Sequence, residues 1–416
     1  MTARAVLRHR SFVALLTGRS VSLAGNGLAN IAITFAVLDL TGSATDLGLV
    51  LAARSIPQVV LLLFGGVIAD RLPRHLVLVV SNLVCGLTQT IAATLLLTDH
   101  ATVGALVAIE AVNGASSAFI FPASAGLLPQ TVPAGELQPA NALFRMFSTA
   151  AMVAGLSIGG ILVAGVGPGW GLAVDALSFV VAAACFATIR LAPAVRQQSV
   201  NVLTDLREGW SAFRSRTWLW VVVLAFSVIN AVHAAGWFTL GPVIADETFG
   251  RPGWGFVLAA ETAGMFVAGF VLLRVRFRRP LFVGMVGVLA WSPLMLVLAA
   301  EPAVVLLVVA SFLAGVAIEL FGLGWDLSMQ QHVPPRLLSR VYAYDALGSL
   351  VAIPVGQVLA GPLAAAVGVR EAVALCAVVL MVVGAAATAV PAVRRLERTD
   401  RVGADAEGER VTGQVS

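Results

Sequence analysis

Four carboxylates, Glu110, Asp175, Glu261 and Glu319, stand inside stretches of this chain that are otherwise almost wholly apolar. An acid facing hydrocarbon costs several kcal/mol, so one retained there is by default a functional group, and proton relays are built from such acids. Glu110, Asn113, Gly114 and Ser117 follow the i, i+3, i+4, i+7 spacing and share one face of a helix. Glu319 lies one turn after Gly315 and just before Gly322, on a face expected to oppose that of Glu110 across the molecule. Asp175 and Asp39 fall nearer the ends of their runs, where solvated or helix-capping roles compete more strongly. Arg54, beside Pro57, either pairs with one of these acids or reaches outward to water. The competing reading for every acid is a structural ion pair.

Two polar stripes accompany the acids. Ser22, Asn26, Asn30 and Thr34 recur every fourth residue, and Asn230, His233 and Trp237 form a comparable face further on. Neither belongs against lipid, so each lines a cavity or bonds neighbouring helices. His233 is of a type that titrates near neutrality, although a lone histidine is more often a hydrogen-bonding residue. The rest of these faces is Ala, Val, Phe and Trp, which suits an apolar or amphipathic small molecule. The sequence holds no phosphate-binding glycine loop and no His/Cys/Asp set with metal spacing. The three cysteines, Cys85, Cys185 and Cys376, lie within apolar runs and read as packing residues. The expectation is no enzyme, no metal and no cofactor, with an ion gradient as the energy source.

The elements that must position these groups are membrane helices. Of 416 residues 59% are hydrophobic and only 12% charged, against roughly a quarter charged in soluble domains. Runs of about 20 apolar residues, each enough to cross ~30 Å of hydrocarbon, recur along the chain without the period-two alternation of a barrel. We expect an all-α polytopic protein with spans at 12–38, 46–69, 75–97, 102–125, 138–165, 169–190, 217–244, 253–273, 280–299, 303–325, 338–366 and 371–392. Arg4, Arg8, Arg10, Arg74, Arg190, Arg207, Arg278, Arg279, Arg340 and Arg394 fall on one side of these spans, and only Arg251 and Arg370 clearly on the other. By the positive-inside rule both termini are cytoplasmic. The net charge of +4 therefore reflects topology, with no nucleic acid implied. The absence of lysine suggests a GC-rich bacterial genome, hence a bacterial cytoplasmic membrane.

The chain also repeats itself. An ungapped shift brings Gly114 onto Gly315, Gln130 onto Gln331, Val132-Pro133 onto Val333-Pro334, Gly155 onto Gly356 and Val166-Gly167 onto Val367-Gly368. One register held through a loop and two helices implies parallel six-helix repeats, with a substrate site expected between them. The expected organisation is an N-terminal half (1–190), an amphipathic linker along the membrane surface (191–216), a C-terminal half (217–392) and a disordered tail (393–416).

Between the second and third spans runs Gly65-Gly66-Val67-Ile68-Ala69-Asp70-Arg71-Leu72-Pro73-Arg74-His75. It resembles the G-x-x-A-D-R-x-x-R/K-R/K loop of the major facilitator superfamily. Thr41-Gly42-Ser43-Ala44, Arg54-Ser55-Ile56-Pro57, Phe121-Pro122-Ala123-Ser124-Ala125, Leu128-Pro129-Gln130 and Asp175-Ala176-Leu177-Ser178-Phe179 together resemble its third drug:proton antiporter branch, the macrolide-efflux-like and enterobactin-exporter-like carriers. The resemblance implies twelve helices, alternating access and export driven by inward proton movement. It also implies a gate at Gly66, Asp70, Arg71 and Arg74, with Asp70 latching onto a helix N-terminus in one state. Two departures stand out. The glycine motif of the fifth span, usually G-P-x-x-G-G, reads Gly155-Leu156-Ser157-Ile158-Gly159-Gly160, and the arginine many drug antiporters place in the fourth span is matched by Glu110. The functional expectation is a monomeric, proton-coupled exporter of hydrophobic or amphipathic small molecules. A siderophore or metabolite exporter, or an uptake carrier, is the alternative, and a non-transporting sensor of the same fold is the reading from another class.

Overall fold

The structure, a computed structural model, describes residues 3–133, 136–190, 202–272, 277–300 and 303–398. Twelve helical spans run in chain order: α1 (Arg10–Thr41), α2 (Ala44–Arg71), α3 (Arg74–Leu97), α4 (Val103–Ser117, resumed at Ile120–Leu127), α5 (Leu137–Val166) and α6 (Pro168–Ala187). After the linker helix (Val202–Arg214) come α7 (Thr217–His233, then Ala234–Thr239 and Gly241–Thr248), α8 (Gly250–Leu272) and α9 (Pro280–Val288 and Trp291–Ala299). The last three are α10 (Val304–His332), α11 (Pro335–Leu350 and Ile353–Val367) and α12 (Val369–Ala389). Among the described residues, 11 helices are long and apolar enough to cross a membrane. The twelfth, α8, carries Glu261 and packs between α5 and α10.

The repeat seen in the sequence is present in the backbone. Gly167 (φ +91°) and Gly368 (φ +98°) occupy matching places, each ending one helix and opening the next. A side chain is strained at such a φ, which is why glycine recurs there. The loop expected around Gly65–His75 is mostly helix. Helix α2 continues to Arg71, and the chain turns only over Leu72-Pro73, where proline disfavours helical backbone in the residue before it. Within α7, Ala234–Thr239 forms a π-helical stretch, a departure that tends to occur at functional sites.

Glycines let backbones meet, and they meet in matched pairs. A Cβ on Gly155 of α5 would lie 2.1 Å from the Ala24 carbonyl oxygen of α1, and one on Gly356 of α11 would lie 1.9 Å from that of Ala231 of α7. Gly159 packs on Leu28 and completes the α1–α5 seam. The third glycine of the motif, Gly160, instead crosses to the other half, where its Cβ would stand 3.0 Å from the Gly255 Cα. On the opposite flank, Gly48 of α2 and Gly361 of α11 lie against the Gln357 carbonyl and the Thr45 backbone. These contacts between halves gather toward the face bearing the α1–α2 turn, here called the distal face. Its opposite, which carries both chain ends, is the terminal face.

On the terminal face the linker helix belongs to the C-terminal half. Arg340 Nη1 donates to Glu208 Oε2 (2.6 Å), and Trp210 packs on the Tyr344 ring (centroids 5.4 Å apart). The expected tail begins with an ordered stretch. Pro391–Arg394 is helical, Glu397 pairs with Arg279 and Arg278, and residues 399–416 lie outside the described set. Those two guanidinium groups, Arg279 first, hold the Glu397 carboxyl below the usual carboxylate range.

Candidate functional site

The N-terminal half encloses a polar cluster centred on Arg54. Helix α4 approaches α2 so closely that a Cβ on Gly114 would stand 1.9 Å from the Arg54 carbonyl oxygen, and this contact brings Glu110 of α4 beside the arginine. Arg54 Nη2 donates to Asn26 Oδ1 of α1 at 2.9 Å, and Nη1 lies 3.6 Å from Glu110 Oε2. Glu110 is 1% exposed, and neither of its oxygens is hydrogen-bonded among the described residues. The buried amide of Gln89 faces it.

Asp175 of α6 adds a second carboxylate. The sequence suggests a solvated or capping position, but the residue is 0% exposed. Ser178 Oγ donates to its Oδ1 at 3.3 Å, Oδ2 has no hydrogen-bond partner among the described residues, and both Arg54 and Glu110 are its electrostatic neighbours. Gly25 makes this placement possible, since a Cβ there would come within 2.5 Å of Asp175 Oδ1. One guanidinium thus faces two buried carboxylates. With all three charged the cluster carries a net negative charge, and an unpaired buried charge is costly.

Several expected lining residues are instead bonded within the halves. Asn113 is buried and donates to Thr88 Oγ1 of α3 (3.0 Å), while Ser117 donates to the Asn113 carbonyl (2.7 Å). Thr34 is buried and returns its hydroxyl to the Asn30 carbonyl, leaving Asn30 half-buried. Asn230 donates to the Ser349 carbonyl of α11 (2.8 Å). His233 is buried with its ring stacked on Trp291 (centroids 3.9 Å apart), and the buried Trp237 donates through Nε1 to Glu261 Oε2 (3.1 Å). Of the cavity-lining expectation, Asn26, Asn30, Arg54, Ser117 and Asn230 keep partial exposure, and Thr34, Asn113, His233 and Trp237 are buried.

The C-terminal half presents acids that sequence reasoning passed over. Trp325 Nε1 and Ser349 Oγ donate to the two oxygens of Asp345 (2.9 and 3.1 Å), and Tyr342 donates to Asp326 Oδ1 (2.9 Å). Glu319 is half-buried, and its charged neighbours are Arg145 of α5 and Asp326 rather than groups of α4. A Cβ on Gly322, between Glu319 and Asp326, would meet open space. The rule that singles out Glu110 applies equally to Asp345 and Arg145 inside their spans, and it is the signal that would have found them.

At the distal face, Arg251 bridges the halves. Its Nε donates to Asp246 Oδ1 (2.9 Å), its Nη1 to Asp39 Oδ2 (2.9 Å), and its Nη2 also reaches Asp39 Oδ1. The guanidinium sits over the Phe35 ring, 4.8 Å from the centroid. Asp39 and Asp246 are counterparts in the repeat, at the ends of α1 and α7, so one arginine clasps both. Asp39 is therefore an ion-pair member, neither a helix cap nor a free solvated acid. The side chains of Gly66, Asp70 and Arg71 lie outside the described residues. Arg74 donates through Nη1 to the Gly126 carbonyl.

Twelve helices in two repeated halves, closed by glycine contacts at one face, agree with a direct family match: the Major Facilitator Superfamily model aligns to residues 15–353. The chain belongs to that superfamily. The multidrug efflux pump Tap of Mycolicibacterium fortuitum is 27% identical over 415 residues, 95% of this chain and 98% of the relative. Macrolide efflux protein A of Streptococcus pyogenes is 21% identical over 397 residues, 93% and 97% of the two chains. Among solved structures, the nucleoside transporter NupG superposes with TM-score 0.72 at 15% identity over 91% of this chain and 98% of its own. A bacterial homologue of the human lysosomal transporter Spinster, inward-facing and unoccupied, gives 0.69 at 16% over 92% and 97%. These likenesses establish a major facilitator transporter fold, and the chain is a multi-pass membrane transporter of small molecules, not an enzyme. The cluster around Arg54 lies ten residues into α2 from its distal end, and the Arg251 clasp lies at the distal rim where the halves meet.

Proposed function

We propose that this transporter exports hydrophobic or amphipathic small molecules, drugs and antibiotics among them, against an inward flow of protons, as a monomer in a bacterial cytoplasmic membrane with both termini cytoplasmic. The arginine-rich terminal face is then cytoplasmic, and the closed distal face makes this an inward-facing arrangement. The chain's likeness to a multidrug efflux pump and a macrolide efflux protein supports the substrate class.

The observation that carries the coupling reading is the imbalance of one arginine against two buried carboxylates. With Arg54 charged, either Glu110 or Asp175 lacks a counter-charge, and a proton is a neutraliser small enough for so enclosed a site. The neighbouring residue supplies a route to the other half, since Ser55 donates through Oγ to Gln357 Oε1 of α11. A change in how Arg54 is shared between the acids moves α2 at the point where it touches α11. Helix α2 also carries Gly66, Asp70 and Arg71 in its last turns, the segment that the family resemblance assigns to the opposite gate. Coupling at one end of α2 and gating at the other is the alternating access expected of two repeated halves.

The test uses a radiolabelled macrolide and everted vesicles. Glu110→Gln is expected to retain equilibrium exchange of the macrolide while losing at least about tenfold of its accumulation against a gradient, because exchange needs no net proton movement. Full accumulation by Glu110→Gln removes that residue from the coupling site.

A further inference from the structure

A second buried polar cluster, in the C-terminal half, is left unused by the reading built on Arg54. Gly114 and Gly315 are counterparts in the repeat, and each packs on a backbone carbonyl of the facing helix: Arg54 at 1.9 Å in one half, Glu261 at 1.8 Å in the other. Arg54 and Glu261 therefore occupy equivalent places and carry opposite charge. The same register, fixed by Ala24 and Ala231 beneath Gly155 and Gly356, sets Asn26 against His233 and Asn30 against Trp237. Glu110 is matched by Ser311. The half with the arginine has two acids around it, whereas among the described residues the half with the acid pairs it with no arginine.

The surroundings of Glu261 are specific. It is 9% exposed, and it accepts one hydrogen bond, from Trp237 Nε1. Helix α7 presents Trp237 and the buried His233, whose Nε2 has no partner among the described residues. Helix α10 presents Ser311, also buried and unpartnered, and two turns further on Glu319. Helix α5 presents the uncharged Leu156 and Gly160 where it meets α8. Arg251 lies ten residues back along α8, roughly 15 Å at 1.5 Å per residue, and is engaged with Asp39 and Asp246. An anionic carboxylate so placed has an indole donor and, among the described residues, no counter-ion, and an unpaired buried charge is costly.

We propose that Glu261 is a second proton-binding site, independent of Arg54, which takes up and releases a proton through its narrow exposed edge while Trp237 holds the carboxyl in place. The bond formed is O–H on the free carboxyl oxygen, the proton comes from water, and no other group changes oxidation state or partner. The inference deepens the coupling reading by giving each half its own proton site, but the titration itself requires no transport.

Infrared pH titration of the purified full-length protein in lipid nanodiscs reads the carboxyl C=O stretch directly. A band that grows reversibly as pH falls is expected in the wild type, in Glu110→Gln and in His233→Gln, and is expected to be lost in Glu261→Gln. In Trp237→Phe the band is expected to persist at a shifted frequency, because its hydrogen-bond donor is gone. The proposal is overturned if Glu261→Gln leaves every titrating band intact, or if sodium ions at fixed pH abolish the Glu261 band. Should Glu261→Gln fail to fold, an unshifted spectrum in Trp237→Phe is decisive against it. Loss of transport in Glu110→Gln with an intact Glu261 titration separates the two readings.

Discussion

Replacing Arg54 by Gln is expected to destabilise the protein severely, and removing Glu110 as well is expected to restore most of the loss. Arg54 is the cation that faces both Glu110 and Asp175, and beyond the amide of Gln89 that faces it Glu110 has no polar neighbour to replace the arginine among the described residues. Breaking a buried ion pair by deleting one partner costs about 3–5 kcal/mol, because the remaining charge stays in a medium of low dielectric. The Arg54 side chain is 22% exposed, which places the expected loss toward the lower end of that range. In the double variant Arg54→Gln, Glu110→Gln one uncompensated acid has gone, so the two changes together cost less than their sum. Thermal or denaturant unfolding of the two single variants and the double variant in detergent forms the cycle that measures this coupling. Additive losses would show that Arg54 and Glu110 do not interact.

Gly160→Val is expected to open the distal face. The added side chain would begin 3.0 Å from the Gly255 Cα and 3.2 Å from the Arg251 carbonyl oxygen, and these are backbone atoms that cannot turn aside. Relief requires α5 and α8 to separate, and α5 and α8 belong to different halves. The cost therefore falls on one conformation of the transporter, leaving each half's own packing intact. Gly165→Val, five residues along the same helix, meets nothing within 4 Å and serves as the control. Spin labels at Thr41 and Glu247, both exposed at the distal rim, report the separation in a background lacking the three native cysteines. Gly160→Val is expected to populate a longer distance than either the wild type or Gly165→Val. Asp39→Asn, which removes one limb of the Arg251 clasp, is expected to move the distribution much less, since exposed ion pairs contribute only about 0–1 kcal/mol. Identical distances in Gly160→Val and Gly165→Val would mean that the glycine contact does not hold the face shut.

The fold was legible because its determinants are local and repeated. Apolar run length sets the spans, and the matched Gly167 and Gly368, both at positive φ, mark the same turn in each half. The candidate site was legible in part. Glu110, Arg54 and Asn26 were each singled out as polar groups on apolar helices, and the structure joins them. What a single sequence lacks is the pairing across helices. Asp175 sits where a run nears its end, so it reads as solvated until Gly25 is seen to admit it to the interior. Asp39 reads as a cap until Arg251, more than two hundred residues later, is seen to reach it. The three glycines of the α5 motif read as one device, but Gly155 and Gly159 join α5 to α1 while Gly160 meets the other half. Tyr342, Tyr344 and Ser349 around Asp345, and Asn141, Ser148 and Thr149 around Arg145, blur the contrast that makes an intramembrane charge conspicuous.

Proton coupling through the Arg54 cluster is tested most directly by uphill transport in everted vesicles loaded with a defined pH gradient. The wild type is expected to accumulate a radiolabelled macrolide only while the interior is acidic, to lose the accumulation when a protonophore collapses the gradient, and to lose it likewise in the double variant Glu110→Gln, Asp175→Asn. Accumulation that survives the protonophore, or that the double variant performs as well as the wild type, would contradict the account.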